Sequence, residues 1–431
     1  MNARAQSVYP HFDVVIVGAG VSGINAAQRV QTQLPGLSYT ILEARGAIGG
    51  TWNLFQYPGI RSDSDLFTFG FPWRPWESSK AIADGASIQE YMAKSAAEYY
   101  IDKHIQFHHK LVSAAWSSES QTWLLGLEVV GEKQVMTAGF IIYGSGYYDY
   151  DAPLETIIPG IENFKGTKIH PQFWPENLDY TGKKIVIIGS GATAITLLPV
   201  LAEKAASVTM LQRSPTYVMA QPSVNTGSWI RKILPRWIAN RFIRFKYMFD
   251  LLFFFYFCRA FPKVATRIIK EATEKLLPTN IAQDPNFKPK YNPWEQRLCV
   301  CPDGDFFAAL RQGNAHVVTD SIQTVTETGI LTTQGLNLDS DIIITATGLK
   351  MKFAGGTHVT VDGQPIIFSQ KFMWKGALIQ DVPNTACLLG YTNNSWTLGA
   401  EATSQLVYFW NAKYGNLVQG LEFNSSIRKA A

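Results

Sequence analysis

The chain has 431 residues, 46% hydrophobic and 17% charged, the make-up of a globular protein with room for two or three domains and not of a disordered or fibrous one. A formal net charge of +4 is mild for this length, and no lysine or arginine run is dense enough for a nucleic-acid groove, so nucleic acid is not an expected partner. Four cysteines, Cys258, Cys299, Cys301 and Cys387, fit neither a disulfide framework nor a four-ligand zinc spacing; no metal site is expected, and a reducing, cytoplasmic setting follows.

The N-terminal residues lack the apolar core of a signal peptide, and Asp13–Val17 reads as a buried strand almost at once. It runs into Gly18-Ala-Gly20-Val-Ser-Gly23, a dinucleotide fingerprint. Gly18 makes the tight turn, Gly20 lets backbone approach a pyrophosphate, and Gly23 lets the following helix pack on the strand. Tyr39–Glu43 reads as the next strand, and Glu43 falls twenty residues past Gly23, where a carboxylate takes ribose hydroxyls. That end suits an adenosine without a 2'-phosphate, as in FAD or NAD.

From Gly49 to about Trp76 the chain is rich in glycine, tryptophan and proline, so no regular helix is expected there; stretches of this kind build sites. Ser87-Ile-Gln-Glu90 has the form of a capping box and predicts a helix to about Tyr100. Short strands follow up to Phe140–Tyr143, closed by a Gly144-Ser-Gly146 turn beside the first nucleotide, and residues 156–182 read as a linker.

A second fingerprint, Gly189-Ser-Gly191-Ala192-Thr193-Ala194, stands behind the apolar run Lys184–Ile188. Its matching strand, Val208–Gln212, ends without a carboxylate and enters Arg213-Ser214, which suits the 2'-phosphate of NADPH. The other reading of Arg213 is an ordinary solvated loop arginine. The unit is then interrupted and resumes around His316–Val318 and Asp341–Gly348. The expected fold is therefore α/β, two nested Rossmann-like dinucleotide-binding domains with a helical insertion. The first domain comprises 1–155 and 348–431, the second 156–226 and 291–347, and the insertion 227–290.

Within the insertion, Ile230, Ile233, Leu234, Trp237, Ile238, Phe242 and Phe245 recur at helical spacing with arginines and lysines between them. Leu251–Phe257 is too short to span a hydrocarbon core of roughly 30 Å. Three readings stand for this segment: an apolar substrate wall, a peripheral membrane contact through 227–260, and the insertion's own core.

Between the fingerprints lies Phe164-Lys-Gly166-Thr-Lys-Ile-His170-Pro-Gln-Phe-Trp174-Pro175, and after the first comes Gly49-Gly50-Thr51-Trp52, followed by Tyr57-Pro-Gly-Ile-Arg-Ser-Asp63. Through these motifs the chain resembles the class B flavoprotein monooxygenases, and the Trp-Pro ending is the form of their Baeyer-Villiger branch. With Gln212–Tyr217 and Tyr291–Cys299 added, the likeness is to the ethionamide-activating type, over about Phe12 to Leu398.

The resemblance implies FAD at the first fingerprint and NADPH at the second, with Gly50, Thr51, Trp52 and Asp63 in the flavin's surroundings and Phe164 to Pro175 linking the domains. It assigns the catalytic arginine to Arg297 and the aspartate that positions it to Asp63. The implied reaction consumes NADPH and O2 through a C4a-peroxyflavin and inserts one oxygen atom beside a small apolar ketone's carbonyl; sulfur-containing substrates suit the same oxidant. A guanidinium stays charged at any working pH, so Arg297 suits the stabilisation of an oxyanion. The alternative for Arg297 is pairing with a structural carboxylate such as Glu295. The alternatives for the whole chain are a flavin-dependent N- or S-oxygenase and a flavoprotein accessory subunit impaired in turnover. A disulfide reductase is excluded, because no Cys-x-x-Cys or Cys-x-x-x-x-Cys occurs. Oligomeric state is open.

Overall fold

The computed structural model describes residues 9–224, 229–296, 298–390 and 397–400. Its first sheet is built on the strand His11–Val17, paired in parallel with Tyr39–Glu43 on one side and Glu132–Tyr143 on the other. Val14, Val15 and Ile16 are almost fully buried. That is the burial expected of a parallel strand covered on both faces, and it explains the unbroken apolar run before Gly18. The antiparallel strands His109–Ser117 and Thr122–Val129 extend the sheet beyond Glu132–Tyr143. Late in the chain His358–Val361 pairs with His109–Ser117, and Thr385–Cys387 pairs with Glu132–Tyr143. The chain thus leaves this sheet and returns to it.

The second sheet has five parallel strands in the order Ala315–Thr319, Ser207–Gln212, Lys184–Ile188, Ile342–Thr345 and Thr167–Ile169. The helix Ala192–Ala202 covers one face with Ile195, Leu197, Leu198 and Leu201, all essentially inaccessible. Burying each such side chain contributes about 1.5–3 kcal/mol. The strands expected around His316 and Asp341 both lie in this sheet.

Four details differ from the sequence reading. The segment 156–182 is not only a linker, since Thr167–Ile169 is the edge strand beside Ile342–Ile344. The helix expected after Ser87 runs from Gly85 to Glu98 with Asp84 as its cap: Asp84 accepts from the Ser87 N–H at 2.8 Å and from its hydroxyl at 2.8 Å. The Asp84 carboxylate takes an orphan N–H of the first turn, so the helix is capped three residues before the serine, which becomes a first-turn donor and not the cap. Glu90 pairs instead with Lys94 on the helix surface. Finally, the glycine-rich stretch holds two single helical turns, Thr51–Leu54 and Leu66–Phe69, the latter capped by Asp65.

The insertion is helical: Ile230–Ile233, Arg236–Ala260, Pro262–Leu276 and Gln283–Asn286. Only Ala239, Ile243 and Cys258 of the long helix are buried, so it is not chiefly a core of its own. Among the described residues no helix is long and apolar enough to cross a membrane. All four cysteines are free and buried.

Candidate active site

The first fingerprint forms a cradle at the C-terminal end of His11–Val17. Gly18 has φ +99°, and a Cβ on Gly23 would lie 1.8 Å from the Gly18 carbonyl oxygen, so the helix approaches the strand only because the third position has no side chain. That helix, Val21–Gln33, starts at Gly20 with no side-chain cap and no acidic residue in its first turn. No capping side chain and no first-turn carboxylate compete with an anion at the positive end of its dipole, where a pyrophosphate would sit.

Glu43 is fixed beside this cradle. One carboxylate oxygen accepts from the Ala19 N–H at 2.8 Å and the other from the Arg45 N–H at 2.9 Å. Burial pushes its pKa above the usual carboxylate range, with the two backbone N–H donors and Arg45 opposing. Each oxygen keeps a second lone pair for a ribose hydroxyl. Close by, Gly50 precedes the turn Thr51–Leu54, and the Thr51 hydroxyl lies 3.3 Å from that of Tyr150. Trp52 meets Phe69 edge to face, with ring centroids 5.8 Å apart. Arg45 Nη1 is buried and makes no hydrogen bond within the protein. An orphaned buried donor and an uncapped helix end are what an FAD adenosine diphosphate moiety would satisfy.

The second fingerprint repeats the design. A Cβ on Gly189 would sit 2.3 Å from the Ala346 carbonyl oxygen, whereas one on Gly191 would meet nothing within 4 Å, leaving that glycine open to a ligand. Gly191 begins the helix Ala192–Ala202 without a side-chain cap, and Ala194 is fully buried against the sheet. Ser190 donates to the Ser214 carbonyl oxygen at 3.0 Å, which brings the Arg213-Ser214 turn to the fingerprint. Arg213 and Ser214 are exposed.

Both cradles open into one cleft of about 1820 Å³, larger than the roughly 300–1,000 Å³ of a single small-ligand pocket. Gly18, Gly20, Glu43, Gly50, Thr51, Trp52 and Asp63 line it from one side, and Gly191, Ala192 and Thr193 from the other. A separate cavity of about 70 Å³ beside Tyr217 and Phe287 is too small for a nucleotide.

The motif from Tyr57 to Asp65 spans the two units. Tyr57 packs against the core of the second sheet, and Gly59 lies so close to the helix Ala192–Ala202 that a Cβ would be 2.6 Å from Val200 Cγ2. Arg61 forms a forked ion pair with Asp305, the first residue of the helix Asp305–Gln312. Asp63 lines the cleft directly beyond this clasp. Arg297 lies outside the described residues, as does Tyr391–Trp396; the chain neighbours of Arg297, Gln296 and Leu298, both line the cleft.

In the segment between the fingerprints, Phe164 is buried with Ile188 and Ile343. A side chain on Gly166 would meet the Asp341 carbonyl oxygen at 2.4 Å, so the edge strand pairs only with glycine there. His170 faces the cleft, and its Nδ1 accepts from the Gln172 N–H at 3.3 Å. Burial lowers the His170 pKa, the Gly348 backbone opposing. Gln172 donates at 2.7 Å to the Asp149 carbonyl oxygen of the first unit, while Trp174 packs half-buried against the core of the second sheet. The segment from Phe164 to Pro175 therefore touches both units.

Sequence reading missed Arg45, Tyr150, Arg61 and Asp305. Arg61 carried a signal, since it sits inside the recognised motif; the others had none.

A family model described as flavin-binding monooxygenase-like matches residues 75–371, and one described as the Thi4 family matches residues 3–99. The chain is 48% identical to the FAD-containing monooxygenase EthA of Mycolicibacterium smegmatis, over 92% of its own length and 81% of the relative's. It is 44% identical to the probable FAD-binding monooxygenase AlmA of Acinetobacter baylyi, over 92% and 80%. Among solved structures it is similar in fold to OTEMO in complex with FAD and NADP, with a TM-score of 0.74 and 21% identity over 95% of this chain and 87% of that one. The polycyclic ketone monooxygenase of Thermothelomyces thermophila gives a TM-score of 0.78 at 18% identity, over 94% and 77%.

Proposed function

The chain belongs to the flavin-binding monooxygenase-like family, and on that premise we propose that it is an FAD-dependent, NADPH-consuming Baeyer-Villiger monooxygenase that converts a small apolar ketone to an ester or lactone. The observation that carries this reading is the single cleft lined by both fingerprints. A hydride donor and a flavin held there would face one another and a common substrate space.

Bound FAD, once reduced by NADPH, would supply the activation of O2; overall, ketone, O2, NADPH and a proton give ester, NADP+ and water. The protein's part is binding, orientation and charge. Gly20 and the N-terminus of Val21–Gln33 would hold the FAD pyrophosphate, and Glu43 its ribose. Gly191, Ala192 and Thr193 would hold the pyrophosphate of NADPH, with Arg213 and Ser214 near its 2'-phosphate. Arg297 would place a permanent cation where negative charge develops, oriented by Asp63, whose own place in the cleft wall supports that role. Trp52, Gly50 and Thr51 would pack at the flavin. The nested division at 155, 226, 290 and 347 is part of the same reading.

A carbonyl substrate is preferred over an amine or sulfide because Trp174-Pro175 and the Asp63 motif accompany the Baeyer-Villiger form; sulfur oxidation by the same site is the second reading. Anaerobic NADPH should bleach the flavin of the wild type and of Arg297→Ala alike, while only the wild type yields ester. A variant that still forms ester would reject the role of Arg297.

A further inference from the structure

The helix Arg236–Ala260 has two faces. Tyr247, Leu251, Phe254 and Phe255 line the cleft. At 100° per residue, Phe242, Phe245, Phe249, Phe253 and Tyr256 lie roughly opposite. These five are 51–66% exposed, and Phe245, Phe249, Phe253 and Phe257 stack in succession with centroids 6.2–6.4 Å apart. The strip continues to Trp237 at one end and Phe261 and Ile268 at the other, all at least half exposed. A continuous aromatic surface of this length is not left to water without a partner.

Charge identifies the partner. Residues 229–276 carry eleven Lys and Arg against three Asp and Glu, whereas the rest of the chain carries 27 against 31. The basic excess is thus concentrated on the insertion; Arg231 and Arg244 turn inward to backbone carbonyl oxygens, whereas Arg241 and Arg259 are exposed and border the aromatic strip on one edge. A second copy of the chain would oppose like charge to like. Residues 401–431 hold three basic and two acidic side chains and offer no complement. A surface that is apolar and anionic together is a bilayer containing acidic lipids.

We infer that the exposed face of Arg236–Ala260 docks on an anionic lipid surface, so that the same helix, through its opposite face, admits apolar substrate from the bilayer to the cleft. The docking stands on the surface alone; the admission of substrate rests on the proposed oxygenase reading.

The test is sedimentation of the full-length protein with vesicles of phosphatidylcholine containing phosphatidylglycerol, against phosphatidylcholine alone. Binding to the anionic vesicles is expected, weakened about tenfold or more in Phe249→Ser/Phe253→Ser and in Arg241→Glu/Arg259→Glu, with thermal unfolding and flavin content unchanged. Absence of binding, equal binding to neutral vesicles, or unaltered binding by both variants would overturn the docking. So would a wild-type dimer in solution that either variant converts to monomer. Sedimentation needs no turnover, so it stands or falls apart from the enzyme reading. In turnover, anionic vesicles should lower KM for an apolar ketone that partitions into the bilayer in the wild type but not in the arginine variant; an equal effect in both would overturn substrate admission.

Discussion

Arg61 and Asp305, 244 residues apart, are joined by a forked ion pair, with Nη2 3.3 Å from Oδ1. Asp305 also accepts from the Phe306 N–H at 2.7 Å, at the start of its helix. The clasp ties the loop before Asp63 to the second nucleotide unit, so the motif on the first cradle's side of the cleft is positioned by the second unit. The pair is mostly shielded, with side-chain exposures of 13% and 31%, which makes it more than a solvated surface pair.

Asp305→Asn keeps the shape and removes the charge. It should lower unfolding free energy by about 1–3 kcal/mol in urea titrations. It should also slow anaerobic reduction of the flavin by NADPH while flavin content stays at the wild-type level. An unchanged reduction rate would make the pair a purely structural link.

Gly23→Ala would place a methyl 1.8 Å from the Gly18 carbonyl oxygen, a contact that only backbone movement relieves. The purified variant should retain about a tenth or less of the wild-type flavin, a loss of at least ~1.4 kcal/mol in binding. Gly191→Ala, at an open position, should preserve the fold and raise KM for NADPH instead. Absorbance of released flavin and steady-state kinetics separate the two.

Glu43 supplies a pH dependence. Its pKa is raised by burial, so in the apo-protein its contribution to stability is present below the unfolded value and is lost as pH rises through the folded value. Under the role proposed for Glu43 at the ribose, flavin binding runs the other way, because the carboxylate is a stronger acceptor for a hydroxyl than the carboxylic acid. FAD affinity should therefore weaken as pH falls from neutrality through the raised pKa, earlier than an ordinary carboxylate would dictate. Glu43→Gln should bind FAD weakly with a flatter profile, measured by flavin fluorescence; a wild-type profile in that variant would discard the assignment.

Arg213 stands exposed at the end of Ser207–Gln212, beside a turn held by Ser190. Arg213→Ala should raise KM for NADPH about tenfold or more and leave NADH unaffected. Equal efficiency with both nicotinamides in the wild type would contradict its role at the 2'-phosphate.

Much of the fold was legible because its decisive residues are local. Asp13–Val17 and Lys184–Ile188 are apolar throughout because both faces are covered, and their glycines follow directly. Asp84 was missed as a cap because Ser87 presents a closer match to the capping pattern, although a carboxylate precedes it. Thr167–Ile169 is too short to announce itself as a strand; its pairing depends on Ile342–Ile344, some 175 residues away. The Arg61–Asp305 clasp was invisible for the same reason, since no local pattern links a loop arginine to a distant helix start. The helical spacing of the insertion's apolar residues is plain in sequence, but which face meets the cleft depends on the packing of Arg236–Ala260 against it.

On the proposed function, two dinucleotides bound in one cleft drive oxygen into a carbonyl compound. The direct measurement is mass spectrometry of products from a ketone panel with NADPH under ¹⁸O-labelled O2. One labelled atom in an ester or lactone is the predicted result. NADPH consumption that yields only hydrogen peroxide from every ketone, or an ester whose inserted oxygen comes from water, would contradict it.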